Sequence, residues 1–170
     1  INVPTIYHHD LDLGFMVLSD FGDFHFQDAL ENKDRESLYK RATKEIVIFQ
    51  SSLLNSEANL PSFNPQWQTR ELDIFREWCL PDLQDTEYRE ITSILVDAID
   101  KIPKAFMHRD FHCRNILLCQ DDELGVIDFQ GAMHGPVTYD LVSLLRDCYV
   151  DNDKQWILQA VRSFQQNLQS

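Results

Sequence analysis

The stretch that most restricts how this chain can fold is Phe106-Met107-His108-Arg109-Asp110-Phe111-His112-Cys113-Arg114-Asn115-Ile116-Leu117-Leu118, followed after a polar turn by Gly125-Val126-Ile127-Asp128-Phe129. Residues 105–107, 116–119 and 125–127 are short apolar runs of strand length, and the polar residues 120–123 join the last two as a turn. The polar residues between the runs sit at defined places. Asp110 lies in the loop leaving the first strand, Asn115 where that loop re-enters a strand, and Asp128 at the end of the third strand, 18 residues after Asp110. Average residue usage would give an H-x-D-x-x-x-x-N match by chance in about one chain of this length per hundred. The flanking strands and the closing Ile127-Asp128-Phe129 make coincidence rarer still.

Strand, loop, strand, turn, strand with these polar residues resembles the layout of kinase phosphoryl-transfer sites. That reaction leaves little covalent chemistry to side chains, so the site must position an acceptor hydroxyl and neutralise charge on the phosphates. Asp110 is then the candidate catalytic base, accepting a hydrogen bond and finally the proton from the attacking hydroxyl. Asn115 would offer its amide oxygen, and Asp128 its carboxylate, to Mg²⁺ bridging the phosphates of a nucleotide; both are the hard oxygen ligands that ion prefers.

The rest of the chain supplies a helical frame. Residues 5–10 and 15–18 read as a β-hairpin around a turn at 11–14, and Ser19-Asp20-Phe21-Gly22-Asp23 as a connector. A short helix is expected near 24–31. Asp34 is placed to cap a long helix whose apolar positions Leu38, Ala42, Ile46, Phe49 and Leu53 recur at helical spacing. Residues 55–68, with Pro61 and Pro65, read as a loop, and 69–80 as a helix. The next helix is expected after a cap at Asp82 or Asp85, with Tyr88, Ile91, Leu95, Ala98 and Ile102 on one face, and Pro103 ends it. Helices over about 139–149 and 153–168 close the chain.

Composition narrows the partners. The formal charge of −13 would repel a phosphate backbone and no basic stripe offsets it, so no nucleic-acid partner is expected. The acidity reads either as solubility or as a pocket for cationic ligands. No apolar run approaches the roughly 20 residues of a membrane span, and the first residues lack the pattern of a signal peptide. Cys79, Cys113, Cys119 and Cys148 form no C-x-x-C pair. A reduced, cytoplasmic setting without membrane contact is the expectation.

At Phe106–Phe129 the chain resembles the aminoglycoside phosphotransferase and choline kinase-like superfamily, relatives of protein kinases. The run 125–130, with Gly135-Pro136-Val137-Thr138-Tyr139-Asp140-Leu141 continuing to Tyr149, is similar more narrowly to the bacterial anomeric kinases of N-acetylmuramate and N-acetylglucosamine, which serve peptidoglycan recycling. The resemblance implies an α+β fold: a protein kinase-like larger lobe, mostly helical, with short strands carrying a catalytic loop (108–115) and a metal loop (128–131). It makes residues 1–23 the end of a small lobe plus the hinge, and 24–170 the larger lobe. It implies ATP and Mg²⁺, and a sugar or amino-sugar acceptor phosphorylated at its anomeric hydroxyl. It assigns the adenine edge to the Ser19 carbonyl and the Phe21 amide, which could equally be an ordinary loop. It makes Asp140 a brace of the catalytic loop, although a plain carboxylate at a helix N-terminus reads the same.

The chain also departs from the pattern. Arg109 stands where many relatives have Gly, and Gly131 where many sugar kinases have Asp. No phosphate-covering loop and no Lys–Glu pair precede Val17. The sequence, which opens on Ile1, is therefore expected to be part of a longer chain and inactive by itself. An aminoglycoside or other small-alcohol kinase is the alternative activity, and an inactive pseudokinase or binding module the alternative of another class; the intact trio argues against the latter.

Other residues stay open at the level of sequence. Glu71, Asp73, Glu77 and Trp78 share a helix where relatives place acceptor-binding elements. Asp73 and Glu77, four apart on one face, read either as acceptor ligands or as a solvated face. His108 and His112 belong to the support of the catalytic loop, His112 either bonding its backbone or packing. His8, His9 and His134 lack metal-ligand spacing, and Cys113 lacks a base and reads as a packing residue.

Overall fold

The computed structural model describes residues 2–52 and 59–168. Strands β1 (Ile6–Asp10) and β2 (Phe15–Leu18) form an antiparallel hairpin. Its turn is held by the Asp10 carboxylate, which accepts the Asp12 and Leu13 amides at 3.0 and 2.8 Å, and by Gly14 at φ 71°, a left-handed conformation that suits glycine. The connector then runs beside the later strands: the Leu118 amide donates to the Phe24 carbonyl and the Val126 amide to the Asn2 carbonyl, both at 2.9 Å.

Helices α1 (Phe26–Asn32) and α2 (Arg35–Ser52) follow. Asp34 starts α2 by accepting the Glu36 amide at 3.1 Å, and Leu38, Ala42, Ile46 and Phe49 face the core at the expected spacing. Leu53 lies outside the described residues. Helix α3 (Pro65–Cys79) begins four residues before the sequence reading put it. Pro65, taken there as a loop residue, occupies the first helical turn, where its missing N–H costs nothing, and Asn64 caps the Trp67 amide at 3.1 Å.

Helix α4 (Asp85–Asp100) also corrects an expectation. Neither Asp82 nor Asp85 caps it; Gln84 takes that position and Asp85, in the first turn, pairs with Arg76. Its buried side is Tyr88 and Thr92, while Ile91 and Leu95 are exposed and Ala98 likewise. The seam to α3 explains the rotation: the Tyr88 hydroxyl donates to Asp73 and the Arg76 guanidinium lies 4.5 Å from the Tyr88 ring centre.

Strand β3 (Lys104–Met107) pairs with β6 (Met133–Pro136), and β4 (Ile116–Leu118) with β5 (Leu124–Val126), both antiparallel. A short 3₁₀ turn joins β4 to β5, and another (Phe129–Gly131) leads into β6, a strand the sequence did not announce. Close packing needs its glycine: a Cβ at Gly135 would sit 2.5 Å from the Met107 sulfur. Helix α5 (Tyr139–Leu145) stops short of Tyr149 because the Asp147 carboxylate takes the Tyr149 and Val150 amides at 3.0 and 2.9 Å, a local turn that outcompetes the helix. Asp153 caps α6 (Lys154–Asn167) through the Gln155 and Trp156 amides. One core joins α1, α2, α5 and α6 to the strands, and it includes Phe111 and Cys113 of the loop between β3 and β4.

Candidate active site

The loop from His108 to Asn115 owes its shape to buried groups beneath it. His108 is fully buried, edge-on to the rings of Phe49 and Phe111. Its Nε2–H donates to the Ile127 carbonyl at 3.1 Å, which ties this loop to the end of β5. Burial holds this imidazole below its ordinary pKa, so it stays neutral, and its Nδ1 has no partner among the described residues. Asp140, at the start of α5, accepts the His108 amide at 2.8 Å and the Arg109 amide at 3.0 Å. Its burial pushes the carboxyl up to about 6, against the pull of those two bonds.

Within the loop the bonds are short-range. The His112 amide donates to the Asp110 carbonyl (3.0 Å) and the Asn115 amide to the His112 carbonyl (2.9 Å). The half-buried His112 ring accepts the Arg114 amide at 3.4 Å and lies 5.4 Å from the Tyr149 ring, so it both bonds the loop backbone and packs. Asp147 grips the loop from the other end of α5, accepting the Cys113 amide at 3.2 Å. Cys113 itself is buried, its thiol pushed well up by desolvation, which leaves a packing role.

Asp110, Asn115 and Asp128 are brought together at the mouth of these strands. The Asn115 side-chain amide donates to the Asp110 carbonyl at 2.9 Å and approaches Asp128 Oδ2 at 3.4 Å. Its nitrogen thus turned inward, the Asn115 Oδ1 accepts no bond among the described residues. The Asp110 carboxylate is exposed and likewise has no partner there. Asp128 stands in the left-handed region at φ 67°, its second oxygen held by the Gln130 amide, a partner the sequence reading did not name. Among the described residues no three His, Cys, Asp or Glu side chains gather as a self-sufficient metal cage. Two oxygen donors on adjacent loops fit an ion such as Mg²⁺, which keeps waters and takes further oxygens from phosphates.

The remaining candidates fall elsewhere. Thr5 and Ser19 exchange two bonds, the Ser19 amide to the Thr5 carbonyl (2.9 Å) and the Thr5 amide to the Ser19 hydroxyl (2.8 Å). The Ser19 carbonyl and the Phe21 amide have no partner among the described residues. The Phe21 ring rests on β5, where a Cβ at Gly125 would lie 2.5 Å from it. A cavity of about 660 Å³ opens between α3 and α5 against the His108–Asn115 loop, with Glu71, Phe75, His112, Tyr139 and Arg146 in its wall. Asp73 and Glu77, the two acceptor candidates, do not line it. Asp73 turns toward α4 and is engaged by Tyr88, and Glu77 is exposed, so the helix presents Glu71 to the cavity instead. Glu71 pairs with Arg109 at 2.7 Å. Arg109 thus gains a partner that the sequence could not supply.

Comparison with known proteins follows the same lines. The family described as "Phosphotransferase enzyme family" (APH) matches residues 1–170. The chain is 34% identical to an N-acetylmuramate/N-acetylglucosamine kinase of Neisseria meningitidis serogroup B over 95% of this chain and 51% of that protein. It is also 34% identical to one of the same name from Pseudomonas aeruginosa, over 88% of this chain and 46% of the relative. The chain therefore spans about half the length of the curated relatives it matches. Among solved structures it is similar to choline kinase LicA from Streptococcus pneumoniae (TM-score 0.68, 14% identity, 95% of this chain and 55% of that one). It is similar too to the ADP-bound aminoglycoside phosphotransferase APH(2'')-Ib (TM-score 0.63, 19% identity, 96% and 60%). At such identities these two show the fold alone, a kinase-like α+β arrangement of helices and short strands.

Proposed function

The chain belongs to the phosphotransferase enzyme family, and from that premise we propose that the protein moves the γ-phosphoryl group of ATP to the anomeric hydroxyl of an amino sugar, N-acetylmuramate or N-acetylglucosamine, in cell-wall recycling. The observation that carries this reading is the meeting of Asp110, Asn115 and Asp128 through the Asn115 amide. Asp110, exposed and unpartnered, hydrogen-bonds the acceptor hydroxyl and takes its proton; an anomeric hydroxyl is more acidic than an ordinary alcohol, which eases that transfer. Asn115 Oδ1 and Asp128 hold Mg²⁺, which when bound neutralises charge developing on the phosphates. The free Ser19 carbonyl and Phe21 amide receive the adenine edge, and use of ATP sets the reaction in the cytoplasm.

The cavity supports an anionic acceptor over a cationic one. Both oxygens of Glu71 and both of Asp147 are already engaged, whereas the Arg146 guanidinium pairs with no carboxylate among the described residues. Arg146 is thus the charged side chain of the cavity wall left without a hydrogen-bond partner among the described residues, and it suits the lactyl carboxylate of N-acetylmuramate better than a polyamine. ADP release by the whole native protein, measured with N-acetylmuramate, N-acetylglucosamine and kanamycin, tests this. Turnover is expected with the two sugars and lost in Asp110→Asn, while Arg146→Gln should raise KM for N-acetylmuramate about tenfold, the loss of one charge-assisted bond, and leave N-acetylglucosamine unchanged. Turnover on kanamycin alone would overturn the acceptor class.

A further inference from the structure

Arg109 is costly where it stands. Its φ of 78° is left-handed, a conformation that a long side chain disfavours by about 1–2 kcal/mol and that glycine adopts freely. Its backbone bond to Asp140 could be made by any residue, so what the arginine adds is its side chain. The guanidinium meets Glu71 Oε1 at 2.7 Å and lies 5.6 Å from the Trp67 ring centre, both on α3. The other Glu71 oxygen accepts the Tyr139 hydroxyl at 3.0 Å, and Tyr139 adjoins Asp140, which holds the Arg109 amide. A closed circuit results: Glu71 to Arg109, Arg109 to Asp140, and Tyr139 back to Glu71. On the far side, a Cβ at Gly131 would lie 3.6 Å from Arg109 Nη1 and 3.9 Å from Asp110 Oδ2, so guanidinium and base stand against the same point of the metal loop.

Building on the reading of Asp110 as the base, we propose that Glu71 is a positioning residue which, through Arg109, locks the catalytic loop to α3, the wall of the acceptor cavity. Both Glu71 oxygens are engaged by protein, which commits the side chain to Arg109 and Tyr139 in this structure. The pair is half-buried, with side-chain exposures of 26% and 29%, so water screens it only in part. A small displacement of the base is enough to cost much of the rate, since transfer depends on near-attack geometry.

A double-variant cycle in the whole native protein tests the proposal. Glu71→Gln keeps the size of the side chain and removes the charge; Arg109→Gly relieves the backbone and removes the mediator. Each should lower kcat about tenfold or more with KM for ATP within about twofold, and adding Glu71→Gln to Arg109→Gly should cause no further loss. A rise in acceptor KM at unchanged kcat would make Glu71 an acceptor ligand and overturn the proposal, as would fully additive losses. Amide exchange of residues 108–113 reads the same coupling without turnover: faster in each single variant and no faster in the double. Unchanged exchange in Glu71→Gln would overturn it. Should the native protein turn over none of the acceptors while the exchange cycle behaves as stated, the functional reading fails and the coupling stands.

Discussion

Asp140 shows how one residue can serve stability and activity at opposite protonation states. Burial raises its carboxyl from 3.8 to about 6, so the folded protein holds this proton more tightly than the unfolded chain. Its contribution to stability is therefore full below about pH 4 and is lost as the pH climbs to about 6. Activity runs the other way, because only the carboxylate can accept both the His108 and Arg109 amides in full strength. We predict that kcat falls on the acid side with a midpoint near pH 6, before the fold is lost. In Asp140→Asn that limb should vanish and kcat at pH 8 drop about tenfold, since an amide oxygen serves two donors less well; a pH–rate profile of both proteins checks it. The family resemblance offered Asp140 as a brace beside the reading as a plain helix N-terminal carboxylate, but its burial, which raises the carboxyl, is set by packing that no local pattern encodes. Asp110, Asn115 and Asp128 were legible because their spacing is local and set by short strands. The Glu71–Arg109 pair spans 38 residues and the bond from Cys113 to Asp147 spans 34, and no local pattern encodes either.

Among the elements, α5 does more than its seven residues suggest. It presents Asp140 at its start and is followed by Asp147, and the two carboxylates hold the loop between β3 and β4 at His108–Arg109 and at Cys113. Asp147 also takes the Tyr149 and Val150 amides, and Tyr149 carries the Arg114 guanidinium 3.9 Å from its ring centre. Asp147→Ala should thus lower stability by about 2–3 kcal/mol, since it orphans several amides at once, and loosen the loop end that bears Asn115. A shift of the urea midpoint at constant slope, with a raised KM for Mg²⁺-ATP, is the expected result. The helix was legible as an element because its apolar residues recur at helical spacing; its end was not, because a side chain two residues beyond it, Asp147, decides it. Strand β6 was hidden for a related reason. Met133-His134-Gly135-Pro136 lacks β-branched residues, and its pairing with β3 on one side and the bridge from His134 to Ser62 on the other make it a strand. Pro65 misled in the opposite direction, since a residue read as a breaker opens a helix at its first turn.

For the molecule as a whole, site and core are one structure. Phe111, fully buried, lies between Asp110 and Asn115 in sequence and belongs to the same cluster as Phe26, Ile46, Leu144 and Phe164. The described residues include no helix long and apolar enough to cross a membrane, and the core reaches into the His108–Asn115 loop through Phe111 and Cys113. Ligand binding at the loop should therefore be felt by the entire fold. A ligand that binds only the folded state adds about 2.7 kcal/mol at a hundred times its Kd, which raises Tm by several degrees. With Mg²⁺-ATP, the native protein should show that rise, and EDTA should remove most of it. The candidate roles separate here without any turnover. Asp110→Asn leaves the metal oxygens in place and should keep the rise, whereas Asp128→Ala removes one oxygen ligand and the partner of Gln130 and should lose more than half of it. An undiminished rise in Asp128→Ala would deny that residue its place at the metal. A rise lost in Asp110→Asn would shift Asp110 from base to nucleotide ligand, because a group that acts only on the acceptor proton contributes nothing to binding ATP alone.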